Sequence, residues 1–355
     1  MFRSVIKSKN PFFYRELAAV MVIIVVTVFG FLASAQDIKQ REFTSPQDAF
    51  NALLEADKNN DTKELLAIFG TGSKDVISSG DVVADTQARQ RFAKAAAEGV
   101  KFTNFDDKTR LVYIGKDGWC FPIPIVKSAH GWIFFTEDGK EEIINRRIGR
   151  NELNTIQVSL AYVDAQREYA SKERNSDALL QYAQHFLSQK DNKDGLYWEA
   201  APGGEESSPL GPLIARATEE GYTFRKGEKS SPYHGYYFKI LKSQGSNASG
   251  GELDYVVNGK MVKGFGLVAY PAQYGVSGIM TFVVNQQGVI YEKDLGPKTV
   301  EISKAITTYD PDQTWEKVEL QKWFPAASSS MGKTLSLNLN VRSFKTFNDS
   351  SVKHG

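Results

Sequence analysis

The sequence predicts an α+β fold in two units, each a set of helices followed by an antiparallel β-meander. Three observations carry this. Apolar residues recur at helical spacing and then in β-rich runs, and that switch occurs twice along the chain. Gly-containing turns separate the β-rich runs at short intervals, as antiparallel neighbours require. The 355 residues are 41% apolar and 24% charged, with 29 Gly and 12 Pro, a globular composition that excludes collagen-like and disordered classes. That length corresponds to about two folded domains.

The elements follow in order. Ser45-Pro46-Gln47-Asp48 opens a helix: a hydroxyl can accept from free first-turn amides, Pro46 wastes no donor, and Asp48 suits the positive helix end. Ala49, Phe50, Leu53 and Leu54 form its apolar stripe. After a polar break, Leu65, Leu66, Ile68 and Phe69 mark a second helix closed by Gly70. A third is expected from about Thr86 to Glu98. Strands are expected at Arg110–Ile114, Phe121–Val126 and Trp132–Thr136, with Pro122 and Pro124 marking an edge strand or a strand start.

The second unit begins with a longer helix, expected from about Arg150 to Arg174, with Leu153, Ile156, Leu160 and Val163 on one face. A short helix is expected through Leu179, Leu180, Tyr182 and Phe186, and another from Leu213 to Glu220, stopped by Gly221. The meander then runs through Tyr233–Ile240, an Asn258-Gly259 hairpin, Gly266–Tyr270, Gly278–Asn285 and Val289–Lys293. A short helix at Lys298–Ile306 closes it. The expected division is 1–35 signal peptide or anchor, 36–148 first domain, 149–312 second domain, and 313–355 a polar tail with one strand at 335–341.

The first 35 residues give an address. Four bases lie in residues 1–15, a 16-residue apolar run covers 17–32, and Ala33-Ser34-Ala35 follows. That is the pattern of an exported protein's leader. The run is short of the roughly 20 residues that span a bilayer, so cleavage after Ala35 is expected, with an uncleaved membrane anchor as the alternative. The whole chain carries a net charge of +1, which offers no electrostatic argument for nucleic acid. Removing the leader leaves 39 bases against 41 acids, a balance of −2. The single cysteine, Cys120, excludes intramolecular disulfides and CxxC centres. Between Trp119 and Phe121 it reads as a small buried hydrophobe.

Most chemical motifs fail on inspection. Gly264-x-Gly266-x-x-Ala269 fits a loose dinucleotide string but continues into a strand, where the fingerprint needs a helix. Asp57, Asn59 and Asp61 alternate like calcium ligands but lack the loop Gly and terminal Glu. The stretch 191–195 is similarly incomplete. No HExxH occurs, and Ile279 spoils a G-x-S-x-G string at Gly275. No catalytic set, metal site or cofactor is expected.

Two clusters remain as binding candidates. Arg146, Arg147 and Arg150 stand at the expected domain junction and at the expected start of a helix. They would hold an anionic glycan, phosphate or lipid head group, or form ion pairs within the protein. The internal pairs are favoured, because a junction needs fixed orientation. Tyr233 and His234, after Pro232, form the other cluster. His234 reads as a general acid or base, or as a structural histidine bonded in a turn.

The strings GWCFPIPIVKSAHGWIFF, AYVDAQREYA, KDGLYW, SPLGPLIARA, PYHGYYFKIL, YVVNGKM and AYPAQYGVSGIMTFVVNQQGVIYEKDLG resemble the bacterial family known as domain of unknown function 2950. The resemblance runs from about Thr44 to Asp312. It implies an exported, uncharacterised protein and carries no catalytic residue. From Asn154 the layout is also similar to the globular half of type IV pilin-like proteins, with Ala165, Gln166 and Tyr169 on the leading helix. That likeness implies one long helix on a four-stranded antiparallel sheet. Pro11 stands where the pilin processing glycine would be, so assembly into a pilus is not implied. Residues 44–145 are similar in layout to nuclear-transport-factor-2-like domains.

These features give an expected function: an exported, non-catalytic binding or interaction module of the bacterial periplasm or envelope, with an envelope protein or polymer as partner. The alternatives are an envelope hydrolase using His234 with acids brought near by the fold, and a purely structural subunit.

Overall fold

A computed structural model of the chain describes residues 39–173, 179–189, 192–199, 206–224 and 231–320. It forms two compact units, one of Met1–Ile77 with Ala93–Gly139, the other of Ser78–Phe92 with Lys140–Gly355. The leader and the strand expected at 335–341 lie outside the described residues. No helix among the described residues is long and apolar enough to cross a membrane.

In the first unit, α1 (Pro46–Lys58) starts as its residues dictate, with the Asp48 amide donating to Ser45 Oγ at 3.1 Å. Ala49, Phe50, Leu53 and Ala56 form its buried stripe. Asn59 caps its end, and Asp61 accepts from the Glu64 amide to begin α2 (Thr62–Phe69). Two of the alternating residues tested as calcium ligands are therefore helix caps. Gly70, at φ 84°, closes α2. A single turn, α3 (Lys74–Ile77), follows. The third expected helix is α4 (Val82–Glu98). It starts four residues early because Asp81 accepts the Ala84 amide at 3.0 Å.

The first sheet holds β1 (Val100–Asn104), β2 (Thr109–Ile114), β3 (Trp119–Cys120), β4 (Ile125–Lys127) and β5 (Trp132–Phe134). All pairs are antiparallel, in the order β1-β2-β4-β5 with β3 also on β2. Strand β1 is not legible in sequence, because its one aromatic, Phe102, is half-buried between polar residues and meets Phe50 edge-on at 5.9 Å. Pro122 and Pro124 split the expected Phe121–Val126 strand, since proline cannot donate to a ladder. The core joins Phe50, Leu53, Leu65, Ile68 and Phe69 to Val112, Ile114, Ile125 and Phe134. Cys120 is half-buried, not fully buried as expected.

The expected helix start near Arg150 is corrected. One helix, α5 (Thr136–Ala170), runs unbroken for 35 residues. Its opening, TEDGKEEIINRRIGR, lacks a continuous apolar stripe and carries two glycines, so no periodicity announces it. Gly139 is required there: a Cβ would stand 2.5 Å from the Pro122 carbonyl. Arg146, Arg147 and Arg150 consequently lie in a helix interior, where the dipole argument for a misplaced cation does not apply. The chain passes from one compact unit to the other at Gly139/Lys140.

In the second unit, Ile156, Tyr162, Val163, Ala165 and Tyr169 of α5 enter the main core. Leu160 packs against it half-buried. Thr155 and Ser159 are buried on the same helix, each returning its hydroxyl to the carbonyl four residues back at 2.8 Å. The sheet contains β6 (Tyr236–Leu241), β11 (Gly266–Pro271), β12 (Met280–Asn285), β13 (Ile290–Asp294) and β14 (Glu316–Lys317). Two small pairs precede β11: β7 (Ser243–Gln244) with β8 (Leu253–Asp254), and β9 (Val256–Val257) with β10 (Lys260–Met261). The main order is β14-β13-β12-β11-β6, all antiparallel: four strands plus a two-residue edge. The polar tail therefore begins later than Asp312, since the Val318 amide donates to Ile290 O at 3.0 Å. The Asn258-Gly259 hairpin forms with φ 50° and 78°, the geometry of a type I′ turn.

Both faces of this sheet are covered. Leu267, Ala269, Phe282 and Val284 face the α5 core. Val268, Tyr270 and Val283 meet Tyr309, with Val300 and Ile306 packed beside them. Val300 belongs to α7 (Thr299–Ala305), which follows α6 (Gly211–Glu219) in the chain. Burial on two faces explains the apolar run of β11 and the run Phe282–Val284 within β12.

The helix expected through Leu179–Phe186 does not form among the described residues. Gln166 takes both backbone groups of Ala183, accepting its N–H and donating to its carbonyl, each at 2.8 Å. Leu179 and Leu180 are exposed instead.

Candidate functional site

The site forms in the second unit where the start of α4, the end of α6 and the turn before β6 converge. Asp81 is buried and acts twice. Its Oδ1 caps α4, and its Oδ2 accepts from the Tyr222 hydroxyl and the Gly235 amide, both at 2.9 Å. The Tyr222 hydroxyl in turn accepts from the His234 amide at 3.2 Å. These bonds hold His234-Gly235 as a two-residue turn, with φ 48° and 77°, closed by paired Tyr233–Tyr236 backbone bonds. Gly235 is required by space as well as by φ, since a Cβ there would stand 2.5 Å from Asn151 Nδ2.

Glu220 caps α6 and brings a carboxylate to this turn. Gln87 of α4 donates to its backbone carbonyl. Arg216 Nε lies 3.2 Å from Glu220 Oε1, and His234 Nε2 lies 3.0 Å from Glu220 Oε2. That second contact has ion-pair distance but not hydrogen-bond geometry: both atoms, with the Tyr233 hydroxyl, are buried and lack a hydrogen bond. A proton on Nε2 makes the two atoms donor and acceptor at that distance. Burial holds His234 below its ordinary 6.5, with Arg216 and Arg91 adding to the effect and Glu220 and Asp81 opposing it. Burial also raises the Tyr222 and Tyr233 hydroxyls, with Asp81 and Glu220 respectively as the next cause.

The arginines occupy neighbouring ground. On the continuous helix, Arg150 follows Arg147 by three residues and Arg146 by four, so the three share one side. Arg146 pairs with Glu142 at 2.5 Å on the surface. Arg150 makes no ion pair with a described residue. Its guanidinium is pushed down to about 10, first by desolvation, then by Arg91, Arg147 and Arg146. Residue 150 nevertheless keeps an exposed surface. Arg91 of α4 is also lowered by desolvation, and Glu220 and Tyr222 oppose that shift.

The charge of Arg91 lowers both His234 and Arg150, while the Tyr233 and His234 rings meet at 4.3 Å between centroids, tilted by 55°. Sequence reading missed Asp81, Arg91, Glu220 and Tyr222. Asp81 carried a signal, an acid before an apolar helical run; Arg91 carried none. Among the described residues, no three His, Cys, Asp or Glu side chains are grouped to hold a metal.

A family model described as "Protein of unknown function (DUF2950)" matches residues 40–318. No curated protein and no solved structure matches the chain. The match covers most of the sequence and includes both compact units, so the chain belongs to the DUF2950 family.

Proposed function

We propose that this protein is an exported, non-catalytic binding module of the bacterial cell envelope, and that Arg150 and Arg91 of its second unit capture an anionic group of the ligand. One observation carries the reading. Arg150 keeps an exposed surface and makes no ion pair with a described residue, while desolvation first and then the charges of Arg91, Arg147 and Arg146 lower its guanidinium. Such a charge is relieved by a bound anion, and guanidinium forks suit phosphate and carboxylate geometry. This departs from the internal ion pairs that the sequence favours. The leader supports export, and the unbroken α5 on an antiparallel sheet is in keeping with the pilin-like layout.

The test is thermal unfolding of the full chain with and without phosphate or sulfate. An anion at 100 times its Kd stabilises by about 2.7 kcal/mol. Wild type should gain stability, and Arg150→Ala and Arg91→Ala should lose that gain alone. A wild type indifferent to both anions overturns the reading. For export, N-terminal sequencing of native protein should begin at Gln36; Met1 retained in a membrane fraction would show an anchor.

A second reading, an envelope hydrolase using His234, is favoured by the carboxylate of Glu220 at 3.0 Å from its ring. It predicts ester turnover that His234→Asn abolishes.

A further inference from the structure

We infer that the open edge of the second sheet, along β6, is closed by the chain's own C-terminal segment 335–341 as an added antiparallel strand. This goes beyond the anion-binding reading and needs nothing from that site. The ladder defines the edge. In an antiparallel pair, alternate residues turn both backbone groups toward one neighbour. The Ala272 amide donates to Gly235 O, so Tyr237, Lys239 and Leu241 face β11, while Phe238 and Ile240 face outward. The outward groups on either side of these two are in use: Tyr236 exchanges bonds with Tyr233, and Lys242 O accepts from the Tyr255 amide. Between them, the amides and carbonyls of Phe238 and Ile240 have no backbone partner among the described residues. They form a slot that takes a strand of about five residues.

The two faces of the slot differ. Phe238 and Ile240 lie half-buried at the margin of the main core. On the other face, Lys239 Nζ donates to Lys304 O at 2.8 Å and to Ser303 O at 3.3 Å. A strand in the slot therefore needs apolar residues on the first face and polar residues on the second. Segment 335–341 has that pattern: Leu335, Leu337, Leu339 and Val341 alternate with Ser336, Asn338 and Asn340. In the matching register Leu339 lies opposite Phe238, Asn338 opposite Lys239, and Leu337 opposite Ile240. The sheet's other edge, β14, offers only Glu316 and Lys317, both charged and exposed, which disfavours a further strand there.

Chain direction and length agree. Every neighbouring pair is antiparallel, and β14 and β6 are the two outer strands of five, so they run the same way. An antiparallel partner of β6 thus starts at the end of the sheet where β14 stops. Leu320, just past β14, packs against the main core, and the 14 residues 321–334 remain to make the crossing. Five strand spacings are about 24 Å, whereas 14 residues extend to about 46 Å. A tether that short holds the segment at an effective concentration of millimolar order, which favours its own chain over a second copy.

The experiment is disulfide trapping in the full chain, with Cys120→Ser removing the native thiol. Lys239→Cys is combined with Asn338→Cys, and separately with Ser350→Cys as a control elsewhere in the tail. Opposite residues of a non-hydrogen-bonded pair have Cα atoms about 4.5 Å apart, within disulfide reach. The Asn338 pair should close within the monomer at least about tenfold faster than the control. No closure, or equal rates for both pairs, overturns the inference. A cross-linked dimer overturns the assignment to the same chain and gives the slot to a second copy's tail. Hydrogen exchange supplies a reading without cysteines. The Phe238 and Ile240 amides should be protected in wild type and exchange at least about tenfold faster in Leu337→Pro, which removes the amide facing Ile240. The Lys239 amide, turned toward β11, should keep its protection. Unprotected Phe238 and Ile240 amides in wild type overturn the inference, and so does protection that survives Leu337→Pro, since another segment would then cover the edge.

Discussion

Asp81 Oδ2 and the Gly235 amide, 154 residues apart in the chain, are joined by a 2.9 Å hydrogen bond inside the second unit. The same carboxylate caps α4 and receives the Tyr222 hydroxyl. One buried acid therefore positions a helix start, an aromatic hydroxyl and the turn that carries His234.

Replacing Asp81 should be severe. Asp81→Ala leaves the Gly235 amide and the Tyr222 hydroxyl without their partner, and removes a cap. Unsatisfied buried donors cost about 1–3 kcal/mol each, and a cap about 1 kcal/mol. Urea unfolding should show a loss of about 3–5 kcal/mol, at the high end for single substitutions. A loss under roughly 1 kcal/mol would contradict the network.

Gln166 makes a similar claim on the segment through Ala183. It is fully buried and satisfies both backbone groups of Ala183. Gln166→Leu keeps the volume but orphans both, and should cost about 2–4 kcal/mol. Hydrogen exchange at the Ala183 amide should accelerate. Unchanged protection would show that another group takes its place.

On the sheet-facing side of α5, burial ranks the apolar residues. Ile156 is fully buried, whereas Leu160 is half-buried at the core edge. Ile156→Ala should cost about 2–5 kcal/mol. Leu160→Ala should cost visibly less, about 1–2 kcal/mol, because part of the leucine already meets water. The reverse order in denaturant midpoints would place a different face against the sheet.

Acid should weaken the second unit through His234. Its folded pKa lies below the ordinary 6.5 because the ring is buried, with Arg216 and Arg91 adding to the effect. The unfolded chain then binds more protons as pH falls below about 6.5, so stability drops on acidification. The contribution is complete above that value and is lost as pH passes through the lowered folded pKa. Denaturant midpoints between pH 7.5 and 5 should fall for wild type and flatten in His234→Asn. A variant with the same slope would assign the effect to other groups.

Much of this was legible from local chemistry. Ser45-Pro46 begins a helix, Gly70 and Gly221 end helices, and Asn258-Gly259 turns a hairpin wherever they occur, because each acts through bonds within a few residues. The meander of the second unit was legible for the same reason, as its strands are apolar and bounded by turns. The α+β class follows from these elements alone.

What the residues could not show locally, tertiary contacts decided. The apolar run through Leu179–Phe186 has a helical look, yet Gln166 claims the Ala183 backbone and the described residues form no helix. The helix from Thr136 has no apolar stripe at its start, yet it continues unbroken through the arginines. The approach of Glu220 to His234, and the charge of Arg91 acting on both His234 and Arg150, depend on how α4, α5, α6 and a turn come together. Helix caps and turns are short-range and therefore written in adjacent residues. Desolvation and charge–charge coupling depend on which distant segments meet, and only the folded chain fixes that.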